Sequence, residues 1–148
     1  GDVVREQLQA NPANAVLLPD ALATLAALEK GDSVDVSKMH PALQQLFAPQ
    51  VQGYWKVMLG YNPAKLIAAY KGPVLILQGA TDLQVSIADA DLLKKAKPDA
   101  TLIKLDGVNH LFKAAPLDRA ANMATYANPD LPLVPGVADA IAGFITAH

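Results

Sequence analysis

Apolar positions in the first part of the chain recur every three or four residues, and no alternating or β-branched run interrupts them before Tyr70. Leu22, Leu25 and Leu28 fall on one helical face, and Gly31 follows as a stop signal. Leu43, Leu46, Phe47, Val51, Tyr54, Trp55 and Met58 trace a second apolar face, broken at Pro49. Asn62-Pro63 then reads as a helix start, with asparagine at the cap and proline at the first helical position, where its missing N–H costs nothing. After Gly72 the pattern changes. Pro73-Val74-Leu75-Ile76-Leu77 is a short unbroken apolar run ending at Gly79, as expected of a strand covered on both faces. Ser86 and Asp89 stand at capping-box spacing and open a helix expected to reach Lys97. Lys94, Lys95 and Lys97 at its end complement the helix dipole and read as a solvated terminus. Thr101–Leu105 is a second strand, closed by Asp106-Gly107. A proline-spaced stretch from Asn128 to Pro135 reads as loop, and Val137, Ile141, Phe144 and Ile145 mark a last amphipathic helix. The expected fold class is α/β, with a helical segment over residues 1–70 and a parallel βαβα unit over residues 71–148.

Composition narrows the function classes. Twelve Lys+Arg against 14 Asp+Glu in 148 residues give a net charge of −2, with the lysines scattered, so a phosphate backbone finds no electrostatic footprint and nucleic acid is not an expected partner. The absence of cysteine removes disulfides, thiolate chemistry and sulfur-ligated zinc, and leaves the redox compartment open. No apolar run approaches the roughly 18 residues that would span a bilayer, so no membrane insertion is expected. The opening residues carry no signal-peptide pattern. No G-x-G-x-x-G follows either strand, and no cofactor is expected.

In an open parallel sheet, catalytic groups collect at the carboxyl ends of strands. Asp82 lies in Gly79-Ala80-Thr81-Asp82, after the first strand, and His110 in Gly107-Val108-Asn109-His110, after the second. Neighbouring parallel strands place both loops on one edge of the sheet, so a carboxylate and an imidazole can meet there. Such a carboxylate fixes the imidazole tautomer and stabilises its protonated form, while the other ring nitrogen takes a proton from a nucleophile. The alternative makes Asp82 a turn residue and His110 a satisfied polar group. His40 and His148 have no comparable carboxylate and are assigned to the surface. Asp82, Asn109 and His110 as a metal site is a weak signal without a second histidine, and no metal is expected.

These residues carry a resemblance. The stretch from Pro73 onward, with its PVLILQG strand, GATD loop, amphipathic helix, short strand, GVNH loop and last helix, resembles the closing portion of an α/β-hydrolase. The resemblance implies that Asp82 is the acid and His110 the base of a catalytic triad, and that residues 1–70 are a cap or lid. It further implies an esterase or lipase-like activity on a small-molecule ester or acyl substrate.

The pattern departs from that family at one point. The nucleophile of such an enzyme stands on a G-x-S-x-G turn before the acid and histidine in chain order. The serines here are Ser33, Ser37 and Ser86, and none follows an apolar strand within such a motif. The expectation is a C-terminal part of a larger hydrolase that holds two of three catalytic side chains and is inactive alone. Its implied partner is the missing N-terminal half. An apolar strand edge left bare by that half would seek another copy, so a homodimer or swapped assembly is expected of the isolated chain. Phe47, Tyr54 and Trp55 are candidates to line a pocket for the acyl group, against the alternative that they pack the helices together. The competing function is a non-catalytic interaction module of helices and a βαβα unit.

Overall fold

The computed structural model describes residues 2–148, which divide into two compact units at Asn62/Pro63. In the first unit, α1 (Asp2–Ala10), a short 3-10 turn (Pro12–Asn14), α2 (Leu18–Glu29), α3 (Pro41–Leu46) and α4 (Pro49–Gly60) follow one another. Prolines begin α3 and α4, where no N–H is required. Part of each predicted face, Leu25 and Leu28 from the first and Leu43 and Phe47 from the second, meets in one core with Ala21, Val36 and Leu59, whereas Leu46, Tyr54 and Met58 of the second face are exposed. Val4, Leu8 and Trp55 pack against that core. Gln52, buried on α4, secures the irregular segment between α2 and α3. Its amide accepts from the Val34 N–H at 3.0 Å and donates to the carbonyls of Val34 and Phe47 at 2.8 and 2.9 Å. A buried amide with several partners is satisfied, which permits a polar side chain among apolar ones.

The second unit is mixed α/β. It contains α5 (Pro63–Ala69), β1 (Leu75–Gly79), α6 (Ile87–Ala96), β2 (Thr101–Leu105), α7 (Arg119–Tyr126) and α8 (Val137–Ala147). Helix α5 packs against α6, so it belongs with this unit although its sequence continues the helical character of the first. Strands β1 and β2 are parallel, in a register that runs from Leu75 opposite Thr101 to Gly79 opposite Leu105. The ladder therefore extends beyond the apolar run to Gln78 and Gly79, while Pro73, which has no N–H to donate, stays outside it. Leu75, Ile76 and Leu77 are only half-buried, not covered on both faces as the run suggested.

Helix α6 starts as predicted. The Ser86 hydroxyl accepts from the Asp89 N–H, and the Asp89 carboxylate accepts from the Ser86 N–H at 3.1 Å. Its lysine-rich end needs correction. Lys97 is buried, and its Nζ donates to the Tyr70 carbonyl at 3.0 Å and pairs with Asp99 at 3.1 Å. Lys94 donates to the Pro98 carbonyl at 2.8 Å. The cations answer carbonyl groups at the chain reversal and tie α6 to the segment before β1, so only Lys95 remains at an exposed end.

Candidate active site

The site is built where β1 and β2 end. Beyond Gly79 the chain turns at once, with the Ala80 N–H donating to the Leu105 carbonyl at 2.8 Å and the Thr81 N–H to the Val108 carbonyl at 3.0 Å. The two loops are thereby stitched together just past the sheet. Glycine at 79 is a steric requirement. A Cβ built there meets the Val108 carbonyl group, with its carbon at 2.8 Å, and the Asn109 carbonyl oxygen at 3.0 Å.

Asp82 and His110 meet. Asp82 Oδ2 lies 2.9 Å from His110 Nδ1. The aspartate side chain is 6% exposed and the histidine 39%, so the contact has a buried end and a solvent-facing end. The two carboxylate oxygens divide the work. Oδ1 accepts from the N–H groups of Gln84 and Val85 at 2.7 and 3.1 Å, the Asx-type turn expected of an aspartate after a strand. Oδ2 is turned to the histidine, with the Gln78 amide at a long 3.4 Å. The turn reading and the pairing reading of Asp82 thus hold together, one on each oxygen. A carboxylate opposite Nδ1 makes that nitrogen the donor and leaves Nε2 as the acceptor of the neutral ring. Among the described residues no group hydrogen-bonds to Nε2. The arrangement can hold an imidazole in one tautomer, aim its free nitrogen outward and stabilise the cation formed when that nitrogen takes a proton.

His110 is held by its loop. The Phe112 N–H donates to the Asn109 carbonyl at 3.0 Å, which makes His110 and Leu111 the central residues of a turn. Phe112 follows with φ 55°, a left-handed conformation that is strained for a bulky residue. Asn109 is fully buried beside it. Its Oδ1 accepts from the Leu111 and Lys113 N–H groups at 3.0 and 3.1 Å, and its Nδ2 donates to Thr125 Oγ1 at 2.7 Å. The side chain is therefore engaged in shaping the loop and does not present an oxygen to a metal. Among the described residues no three His, Cys, Asp or Glu side chains converge, and no helix is long and apolar enough to cross a membrane.

The remaining candidates lie in the helical unit. Phe47 is fully buried in its core, its ring 5.8 Å from that of Trp55, and so it packs the helices instead of presenting a surface to a ligand. Trp55 donates from Nε1 to the Leu46 carbonyl at 2.9 Å. Tyr54, 62% exposed, stands edge-on to it at 5.9 Å. Tyr54 and Trp55, with Ala42, Gln45, Leu46 and Val51, line an open recess of about 560 Å³. His40 caps α3, its Nδ1 accepting from the Ala42 N–H at 3.2 Å, and the His148 ring lies 4.4 Å from that of Phe144.

The α/β unit has one serine, Ser86, and its hydroxyl is committed to the helix cap. Ser86 Oγ donates to Asp89 at 2.7 Å, and Ser33 Oγ accepts from Lys56 at 2.9 Å. Sequence reasoning missed α7 and its Asn122 and Thr125, which bond into both loops. The one local signal was Asp118, whose carboxylate caps the helix by accepting from the Ala121 N–H at 2.9 Å. Comparison with protein-family models, with curated proteins and with solved structures found no match in any of the three.

Proposed function

We propose that Asp82 and His110 are the acid and base of a triad-type hydrolase acting on ester or related acyl bonds, with the α/β unit as the last two strands and helices of an α/β-hydrolase sheet. The observation that carries this reading is the 2.9 Å contact between a buried carboxylate and a half-exposed imidazole at the ends of two adjacent parallel strands. In the proposed reaction His110 Nε2 takes the proton of a hydroxyl nucleophile as that oxygen attacks the acyl carbon. Asp82 stabilises the resulting imidazolium, which then returns the proton to the departing alkoxide. The nucleophile and the oxyanion donors come from outside these 148 residues, since the serines present are committed to other bonds or lack the strand-to-helix turn such a group needs. In this reading the helical unit is a cap, and the recess at Tyr54 and Trp55 offers apolar surface to the acyl portion of the substrate.

The competing reading, a non-catalytic module with Asp82 and His110 as structural turn residues, would be favoured by a carboxylate far from the imidazole, and the two lie 2.9 Å apart. A fluorophosphonate probe tests the proposal. The 148-residue chain should remain unlabelled, and the longer gene product should label in a manner lost with His110→Ala. Labelling of the 148-residue chain would overturn the missing-nucleophile argument. An unlabelled longer product would overturn the serine-hydrolase reading.

A further inference from the structure

The acid loop and the histidine loop are also joined through a third element, helix α7, by hydrogen bonds. Asn122 on α7 is completely buried, and its Nδ2 donates to the carbonyls of Thr81 at 2.8 Å and Pro116 at 2.9 Å. Thr81 immediately precedes the acid, and its own hydroxyl donates to the Ala115 carbonyl at 2.9 Å. One turn further along α7, Thr125 Oγ1 donates to the Asn122 carbonyl at 2.7 Å and accepts from Asn109 Nδ2 at 2.7 Å. Asn109 immediately precedes the histidine. An unbroken series of hydrogen bonds thus runs from the residue before Asp82, through Asn122 and Thr125, to the residue before His110.

The chemistry of the series fixes its direction. Two carbonyl oxygens face the Asn122 amide from one side, so its NH2 must lie there. Among the described residues no donor reaches its Oδ1. The amide is spent on holding two loop carbonyls at once. An apolar residue at 122 would lose both ties.

We infer that Asn122 and Thr125 are positioning residues: they set the separation of the Asp82 carboxylate and the His110 imidazole without touching either, by locking the residue that precedes each one. The inference rests on the pairing central to the proposed function, but not on the reaction assigned to it.

The test reads the pair directly, in the whole 148-residue chain, through the His110 Nδ1–H proton resonance, which a carboxylate acceptor moves downfield and shields from exchange. Thr125→Ser keeps the hydroxyl and should keep the resonance. Thr125→Val keeps the shape, removes both bonds and should lose the resonance while far-UV dichroism is retained. Leu93→Ala, which lowers stability from α6, should leave the resonance in place and so separates positioning from general destabilisation. If Thr125→Val fails to fold, Thr125→Ala, which also removes both bonds, is the variant to read, and the same loss is expected. A resonance that persists in the folded hydroxyl-deletion variant, or that disappears equally in Leu93→Ala, would overturn the inference. Because no turnover is measured, a chain that never hydrolyses an ester can still pass or fail this test.

Discussion

Replacing Gly79 by alanine should damage the second unit from the point where its loops cross. The added methyl group would find the Val108 carbonyl carbon at 2.8 Å and the Asn109 oxygen at 3.0 Å, against an ordinary separation of about 3.5–4.0 Å between carbon atoms. Backbone stands on the blocked side, so relief requires the histidine loop to move by about 1 Å. That movement would carry the Thr81-to-Val108 bond, now 3.0 Å, out of hydrogen-bonding range and leave a buried N–H unpaired. Overpacking costs about 1–3 kcal/mol and an orphaned buried donor about 1–3 kcal/mol, giving a total of about 2–6 kcal/mol. For a unit of this size each kcal/mol lowers Tm by about 4–8 °C, so the variant should melt at least about 8 °C below the parent. Thermal unfolding followed by circular dichroism reads the effect. Gly143→Ala is the control: this exposed glycine of α8 has open space around it, and the alanine should stabilise the helix by about 0.5–1 kcal/mol. A Gly79→Ala protein that melts within about 2 °C of the parent would refute the steric reasoning.

Three further outcomes are expected. Ser86→Ala removes the side-chain cap of α6 and should cost about 1 kcal/mol in thermal or urea unfolding; an unchanged midpoint would deny the capping box its role. Hydrogen bonding to Arg5 holds the Glu29 carboxyl below its ordinary 4.5, so its contribution is present above that pH and is lost as pH falls through the lowered value. Arg5→Ala should remove this part of the acid limb, by no more than about 1 kcal/mol for so exposed a pair, and an identical pH profile would contradict the assignment. Among the described residues β1 is paired on one side only, and we expect a second copy of the chain to cover its free edge. Sedimentation equilibrium should therefore report more than the 15.6 kDa of one chain, and a single monomeric species would contradict it.

The sequence was most informative where hydrophobic spacing or local capping decides structure. The Ser86/Asp89 box, both strands and α8 follow from such patterns, as does the meeting of Asp82 and His110, because parallel strands bring their carboxyl ends together. Helix α7 was hidden for the opposite reason. Its most buried side chain is Asn122, so the face it turns inward is polar and does not read as a core-facing stripe. Lys97 reads as solvated because the carbonyl of Tyr70 that receives its ammonium group is distant in sequence. Phe47 and Trp55 occur on one apolar face, yet spacing alone cannot distinguish the ring that fills the core from the ring that lines a recess.

The central claim is that a carboxylate fixes the tautomer of one histidine at the end of the sheet. Nitrogen-15 spectra of the imidazole rings measure this in the 148-residue chain. His110 should show a protonated Nδ1 and a bare Nε2 when neutral, and Asp82→Asn should abolish that preference in a protein that remains folded. A His110 ring protonated on Nε2, or one indifferent to the loss of the Asp82 carboxylate, would contradict the account.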